Sequence, residues 1–437
     1  MKIDVCSGFF RCSGKNRLLI LCIVILLTAC HGNKSFHIKL YNPNAFTVEK
    51  KVVTINRDTL EEVLGADLAH KYFIVKSGVS ELPVQFDDID FDSNWDEMSV
   101  LVSFDAKEKK ELTFTLRKQR ESRESETLTS VYFGVKPTKI EPAVPVVQYT
   151  LNGADLPWDD PYYPFQMDGP AWENDKVGFR IYFDGRNAKD IFAKRIPDLV
   201  LSKVGLDSAG NPVDNYHVLE KWGRDVLQVG NSLGAGGLAL YEEDSLIRLG
   251  IIRGAAKDVV DSSRFELINR GPVRAVFRLS YFGWKVKNKA LNIEEIISIN
   301  PGEYCYHSRV RFLNDQSSKD LVIGMANLDN SNPLHFLETS DEIAMFTHDK
   351  QTYNKEYYLG MALVTPKKTY STYTQATDSG SPVNSTFCSI HKLQPNEALY
   401  YRYYACCELS EPGFADRKYF ADFIRKEINT KDILLQF

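Results

Sequence analysis

Short segments in which apolar and polar residues alternate recur along most of this 437-residue chain, and they restrict its fold more than any other feature. Examples lie at 177–183, 273–284, 304–312 and 398–406. Alternation with a period of two is typical of β-strands that bury one face. The 22 Tyr and 25 Phe residues favour the same structure, because aromatic side chains are enriched in strands. The sequence therefore predicts an all-β protein.

Two structural units are predicted after a leader. Residues 30–138 carry short strands separated by turn residues and charge clusters, which is typical of a small β-sandwich. Residues 139–145 form a proline-containing linker. Residues 146–437 hold strand segments over a length too great for one immunoglobulin-like sandwich, so we predict a large antiparallel sandwich of two sheets. Its tail is predicted to be helical, because Phe420, Phe423 and Ile424 share one helical face.

Residues 1–29 are predicted to be a signal peptide. Basic residues precede the apolar run Leu18–Leu27, which is too short to span a bilayer. The run leads into Leu27-Thr28-Ala29-Cys30, which resembles the lipobox of bacterial lipoproteins. We therefore expect lipidation of Cys30 and attachment to a bacterial membrane through this lipid anchor only. No acidic cluster follows Cys30, which favours the periplasmic side over the cell surface; the alternative is an ordinary secretory signal with a chance cysteine.

Charge and cysteine content exclude several classes of protein. The 53 Lys and Arg residues against 58 Asp and Glu give a formal net charge of −5, so nucleic acid is not an expected partner. A mean hydropathy of −0.28 excludes a membrane protein with many spans. Besides Cys30, four cysteines follow the leader, which is too few for a disulfide framework. We expect buried thiols, with a bridge involving Cys305 or Cys388 as the alternative to free Cys406 and Cys407.

Several motifs of the second unit occur together in one known family. They are Asp168–Asp184, Arg186–Phe192, Tyr216-His217, Trp222–Asp225 and Val229–Gly236. In combination they resemble an uncharacterised bacterial lipoprotein family, domain of unknown function family 4861. The resemblance covers most of the mature chain. It implies a galactose-mutarotase-like β-supersandwich for the large unit and an association with polysaccharide-degradation gene clusters, but no established reaction.

Side chains that can transfer protons or bind a charged substrate are concentrated between residues 168 and 225. On the predicted strand 177–183, Arg180 and Tyr182 share the face opposite Phe179 and Ile181. Arginine binds carboxylates in a bidentate fork, and tyrosine or histidine can transfer protons. The predicted catalytic residues are Glu173, Arg180, Tyr182, His217 and Asp225; the predicted substrate-binding residues are Trp172, Asp175, Arg186 and Trp222. The alternative is an exposed sheet face with ordinary ion pairs. Among the other histidines, His307 is the second choice.

These residues lead us to expect a lipoprotein that acts on acidic or complex oligosaccharides, and three hypotheses stay open. In a lyase, His217 or Tyr182 would abstract the proton next to a uronate carboxylate, which Arg180 or Arg186 would neutralise. In a glycoside hydrolase, two carboxylates would serve as acid and as base or nucleophile. They would come from Glu173, Asp175 and Asp225. The third hypothesis is a glycan-binding lipoprotein without catalytic activity.

An acidic loop in the first unit predicts a calcium site. Asp88, Asp90, Asp92 and Asp96 occupy relative positions 1, 3, 5 and 9, and Asn94 at position 7 would add a backbone carbonyl. Alternate oxygen donors on a tight loop suit Ca²⁺. The loop has no Glu at position 12 and is not an EF-hand. We expect a structural role for the ion; the alternative is an acidic hairpin turn.

Overall fold

Strands make up nearly all the regular structure. The structure is a computed structural model that describes residues 2–4, 35–119, 126–156, 164–252, 258–377 and 381–437. Within these ranges the α-helices are Arg57–Leu64 and Arg417–Asn429. Short 3-10 helices lie at Gly153–Asp155, Gln166–Asp168, Tyr353–Lys355 and Pro412–Ala415. The all-β prediction is confirmed.

The N-terminal unit contains two antiparallel sheets. In the described part of the chain, one sheet has the strand order Lys2–Asp4, Leu434–Gln436, Ser35–Tyr41, Lys109–Arg117, Tyr72–Ser77 and Ser80–Glu81. The other sheet consists of Val48–Asn56, Glu97–Phe104 and Val84–Asp87. The alternating apolar positions of both sheets meet in one core, which includes Ile38, Val53, Phe73, Met98 and Phe114.

The large unit is built around a wide antiparallel sheet. Counted over the described ranges, this sheet has nine strands: Gln148–Asn152, Ser262–Asn269, Ala275–Val286, Lys289–Ile299, Cys305–Phe312, Ala398–Cys407, Leu359–Pro366, Glu342–Asp349 and His335–Glu338. Two sheets of five strands complete the large unit. The first, called here the site sheet, has the order Gly223–Asp225, Lys189–Lys194, Val177–Ile181, Ala171–Asn174 and Thr129–Tyr132; the second has Ser245–Arg248, Ala235–Glu242, Lys319–Ala326, Thr386–Leu393 and Tyr370–Ala376. Gly134–Val135 and Val144–Pro145 form a small separate pair.

The main core lies between the wide sheet and the two smaller sheets. Trp172 and Phe179 of the site sheet contact Phe277 and Tyr306 of the wide sheet, with ring centroids 4.9 to 5.4 Å apart in three of these pairs. The alternation of the strands directs these rings inward, so their sequence neighbours point to the opposite face. On the site sheet, that opposite face carries the polar groups described below.

The strand pairing differs from the predicted division of the chain. Thr129–Tyr132, which was assigned to the first unit, pairs with Ala171–Asn174 of the site sheet. Leu434–Gln436, at the far end of the chain, pairs with Ser35–Tyr41 of the first unit. Each unit therefore includes a strand from the other side of the predicted boundary.

The C-terminal helix covers the outer face of the wide sheet. Its buried residues Phe420, Ile424 and Ile428 pack into an apolar cluster with Phe346 and Tyr404 of that sheet. Asp416 caps the first turn by accepting a hydrogen bond from the Tyr419 N–H at 2.7 Å. This helix, predicted from its periodicity, runs from Arg417 to Asn429.

Cys305, Cys388, Cys406 and Cys407 are buried free thiols. The alternative of a disulfide bridge at Cys305 or Cys388 is therefore not supported. Among the described residues, no helix combines the length and the apolar character that crossing a membrane requires. Cys30 and the rest of the predicted lipobox lie outside the described residues.

Candidate functional site

The candidate site occupies the outer face of the site sheet. Antiparallel pairing places Arg180 directly opposite Asp190 and Phe192 directly opposite Asp225. Because side chains alternate along each strand, these four residues share the face that points away from the main core. The segment between residues 196 and 222 covers this face with apolar side chains, which are Leu201, Val204, Tyr216 and Trp222.

A buried polar network, called here the Arg180 cluster, lies beneath this cover. Its members are Asp168, Arg180, Tyr182, Asp190, Tyr216 and Asp225. Arg180 Nη2 donates to Asp190 Oδ2 and to Asp225 Oδ2, each at 2.8 Å. Arg180 Nη1 donates to Asp168 Oδ2 at 3.0 Å and to the Tyr216 hydroxyl at 2.5 Å. Arg180 Nε donates to Asp190 Oδ2 at 3.1 Å.

The guanidinium of Arg180 is thus saturated by the protein. Each of its three nitrogens has a protein acceptor, and the side chain is only 1% exposed. The Tyr182 hydroxyl donates to Asp190 Oδ2 at 2.7 Å, and burial raises the pKa of Tyr182 well above its usual value. Arg180 therefore organises carboxylates, and it is not available to bind a carboxylate of a substrate.

His217 connects the Arg180 cluster to solvent. Its Nε2 lies 2.7 Å from Asp214 Oδ1, and its Nδ1 lies 3.4 Å from Asp225 Oδ2. The side chain of His217 is 31% exposed and that of Asp214 is 60% exposed. The ring of Tyr353 lies 5.3 Å from the imidazole, between ring centroids. One imidazole therefore separates a buried carboxylate from an exposed one.

The environment shifts the proton affinity of these three groups. Burial, reinforced by Asp190, raises the pKa of Asp225 well above its usual value, although Arg180 and His217 oppose the change. The hydrogen bond with Asp214 raises the pKa of His217, against the effect of burial. The same hydrogen bond lowers the pKa of Asp214. The Asp225–His217 pair accordingly holds a proton more firmly than either group in water, whereas Asp214 stays ionised.

Two buried polar atoms of this pair are left without hydrogen bonds. Asp225 Oδ1 and His217 Nδ1 have no hydrogen-bond partner among the described residues. Buried polar atoms are usually paired, because each unmade hydrogen bond costs free energy. Two unpaired atoms on adjacent side chains leave a hydrogen-bonding capacity that a ligand or a water molecule would complete.

An open pocket of about 300 Å³ adjoins the cluster. Tyr216 belongs to both, since its hydroxyl contacts Arg180 and the residue lines the pocket. Trp222, Lys203 and Glu220 line the pocket with it. Aromatic rings beside charged groups provide both a stacking surface and hydrogen-bonding partners for a polar ligand.

Comparison with known proteins gives the family of this chain. The family model described as "Domain of unknown function (DUF4861)" matches residues 40–431. The chain belongs to this family. This member is 25% identical over 288 residues to "Uncharacterized protein P7" of Formosa agariphila, a match that covers 62% of this chain and 67% of the relative.

Similar solved structures are distant. A Glycosyl Hydrolase Family 38 protein from Enterococcus faecalis matches with a TM-score of 0.44 and 8% identity, over 92% of this chain and 47% of that protein. This DUF4861 chain thus spans about half the length of that relative. A protein from Klebsiella pneumoniae described as a "putative aldose 1-epimerase" matches with a TM-score of 0.28 and 9% identity, over 69% of this chain and 97% of the other.

Three of the predicted site residues lie elsewhere in this DUF4861 protein. Glu173 pairs with Lys194 at 2.6 Å in a buried ion pair and also accepts the N–H groups of Val200 and Leu201. Asp175 accepts the Gly302 N–H at 2.6 Å, away from the cluster. Trp172 is fully buried in the main core and therefore offers no face to a sugar.

The other predicted residues are close together. Arg180, Tyr182, Asp225 and His217 are linked through the contacts given above. Arg186 stacks on the Tyr182 ring, with its guanidinium carbon 3.7 Å from the ring centroid. It is also paired with Asp184 through Nη2 at 2.6 Å. Trp222 lines the adjoining pocket.

Sequence reasoning missed five residues of the site. They are Asp168, Asp190, Asp214, Tyr216 and Tyr353. Asp190 is positioned by strand register, which a single sequence does not provide. The sequence does contain a signal for Asp214, because this acid lies only three residues before His217.

The acidic loop of the N-terminal unit brings three of its four predicted ligands together. One carboxylate oxygen each of Asp88, Asp90 and Asp96 lies within 4.8 Å of the others. Asp92 is not in this group, and its Oδ1 accepts the Asn94 N–H at 2.7 Å. Calcium binding stays a prediction, with Asp92 as the weakest of the proposed ligands.

Proposed function

We propose that this protein is a carbohydrate-active enzyme that hydrolyses a glycosidic bond with the Asp225–His217 pair as proton donor. The observation that carries the proposal is the pair of unpartnered buried atoms, Asp225 Oδ1 and His217 Nδ1. The adjoining pocket with Tyr216 and Trp222 supports a sugar as ligand. The implied association of the family with polysaccharide breakdown supports the same substrate class.

The ion pairs of Arg180 and Arg186 favour hydrolysis over β-elimination. A lyase needs a cation that neutralises the uronate carboxylate, and both arginines proposed for this task are engaged, Arg180 by the cluster and Arg186 by Asp184. Tyr182 is buried and its raised pKa makes it a poor base at neutral pH.

In the proposed reaction the carboxylates on either side of His217 have different tasks. The Asp225–His217 pair transfers its proton to the leaving oxygen as the bond to the anomeric carbon breaks. Water adds its hydroxyl to that carbon, and Asp214, which is ionised and exposed, accepts the proton. His217, in contact with Asp214, returns this proton to the pair.

Activity on a panel of acidic and neutral polysaccharides tests the proposal. New reducing ends without unsaturated uronate absorbance are expected. His217→Gln should lower turnover by on the order of 10²–10⁴-fold with an unchanged melting temperature, whereas the exposed control His37→Gln should be fully active. Unsaturated products would overturn hydrolysis in favour of a lyase. Binding without any turnover, measured by calorimetry, would overturn catalysis in favour of a glycan-binding lipoprotein.

We also propose that Cys30 anchors the protein to a bacterial membrane, on the periplasmic side. The support is the order of basic residues, apolar run and Leu27–Cys30 in the sequence. Metabolic labelling with a fatty acid should mark the wild type and not Cys30→Ala. A Cys30→Ala variant that still carries label or still sediments with membranes would contradict this proposal.

A further inference from the structure

A second cluster, made of side chains that can bind a metal ion, lies where the wide sheet meets the N-terminal unit. Glu303, Cys305 and His307 alternate along the chain at the start of the strand Cys305–Phe312, so they project to the same face. One donor atom of each lies within 4.8 Å of the others. This face is the outer one, because Cys305 packs with the apolar cluster under the C-terminal helix.

We propose that Glu303, Cys305 and His307 bind a zinc ion or a similar divalent transition metal. Thiolate, imidazole and carboxylate are the three donor types that proteins use for Zn²⁺. The set differs in kind from the acidic loop at Asp88–Asp96, whose oxygen donors suit calcium.

Two of the three donor–donor distances within the cluster fit tetrahedral coordination closely. Cys305 Sγ lies 3.7 Å from Glu303 Oε2 and 3.9 Å from His307 Nε2. Zinc bonds of about 2.3 Å to sulfur and ~2.0–2.2 Å to nitrogen or oxygen give donor separations of roughly 3.5 Å at tetrahedral angles. The third separation, 2.5 Å between Glu303 Oε2 and His307 Nε2, is a hydrogen bond. This pair must open by roughly 1 Å, which a rotation of the Glu303 side chain supplies.

Asn300 provides the second, independent indication of a ligand. Its side chain is buried, and Nδ2 lies 3.1 Å from Glu303 Oε2 and 3.2 Å from His307 Nε2. Its Oδ1 has no hydrogen-bond partner among the described residues. A half-turn of the amide exchanges its two ends and presents Oδ1 to the cluster as a fourth donor.

The basic side chains nearby leave the binding face free. Lys51 of the N-terminal unit lies 3.6 Å from Glu303 Oε1, whereas Oε2 faces the cluster. Arg402, which pairs in register with His307, is engaged by Glu342 at 2.5 Å. A metal here would fasten the turn before Cys305 at the point where Lys51 of the first unit contacts it, so its role would be structural.

Cobalt titration of chelator-treated full-length protein tests the site. Wild-type protein should bind one Co²⁺ per chain with a thiolate-to-cobalt absorption band, and Zn²⁺ should displace it and raise the melting temperature. Cys305→Ser should lose the band, and the matched control Cys388→Ser, another buried thiol, should keep it. Glu303→Gln and His307→Gln should weaken binding by more than the roughly 10–100-fold that changes around a metal's ligands cause.

Three results would overturn the proposal. They are absence of a thiolate band in the wild type, a band that is unchanged in Cys305→Ser, and cobalt binding that only Asp90→Asn or Asp96→Asn abolishes. The last result would place the ion in the acidic loop. Circular dichroism of each metal-free variant checks folding. If Cys305→Ser does not fold, Glu303→Gln and His307→Gln decide the matter, since both keep the thiol and the side-chain size.

Discussion

Arg180 donates to three carboxylates while its side chain is almost entirely removed from water. A charge in such a position is stable only with its partners, because desolvation of an unpaired ion costs several kcal/mol. The sequence correctly indicated that Arg180 and Tyr182 share a face. It did not show that neighbouring strands and the covering segment would supply enough acceptors to occupy the guanidinium fully.

Replacing Arg180 by Met should therefore destabilise the fold. Asp190 and Asp225 would stay buried without their cation, and we expect a loss of about 3–5 kcal/mol in the free energy of unfolding. Arg425→Met is the control, because Arg425 pairs with Asp422 on the surface and its side chain is 53% exposed. Its loss should be about 0–1 kcal/mol. Urea unfolding of both variants measures the difference, and equal losses would contradict a structural role for Arg180.

The proton affinity of His217 should depend on Asp214. The hydrogen bond with Asp214 is the largest cause of the raised pKa of His217. A raised pKa in the folded state stabilises the fold below the unfolded pKa of about 6.5, and this contribution disappears as pH rises through the folded pKa. Asp214→Asn should move the titration of the imidazole, followed by NMR, to lower pH. An unchanged titration midpoint would contradict this role of Asp214.

At the scale of elements, strands were predictable and their register was not. The alternation in 177–183 identifies the strand Val177–Ile181 and its two faces from sequence alone. Glu173 also lies on the outer side of the site sheet, but it is paired with Gly178, whereas Arg180 is paired with Ala171. This offset along the strands brings Glu173 to Lys194 instead of Asp225. Periodicity carries no information on such an offset.

The acidic loop is an element whose behaviour should depend on calcium. Burial, together with the nearby Asp90, raises the pKa of Asp96, and a bound cation would oppose both effects. Calcium added to chelated protein should raise the melting temperature, because a ligand that binds only the native state stabilises it. The effect should be absent in Asp90→Asn/Asp96→Asn. A melting temperature that is constant over a wide range of calcium concentration would exclude the site.

At the scale of the whole molecule, the two units are joined by exchanged strands and by a buried ion pair. Arg274, the residue before the wide-sheet strand Ala275–Val286, is fully buried and donates to Asp87 Oδ2 of the N-terminal unit through Nε at 2.9 Å and Nη2 at 2.8 Å. It also contacts Glu97. Gln85 of the N-terminal unit adds a hydrogen bond from Nε2 to the Arg274 carbonyl at 2.8 Å. We therefore expect both units to unfold in one transition.

Substitutions at Arg274 separate the effect of charge from that of contact. Arg274→Met leaves Asp87 and Glu97 buried without a cation, so it should cost about 3–5 kcal/mol and split the calorimetric transition in two. A triple variant, Arg274→Met with Asp87→Asn and Glu97→Gln, removes the uncompensated charges. The largest cost of the single variant is its uncompensated buried charge, so the triple variant should recover most of the stability and the single transition. If the triple variant is as unstable as Arg274→Met, the contacts of the guanidinium, and not its charge, join the two units.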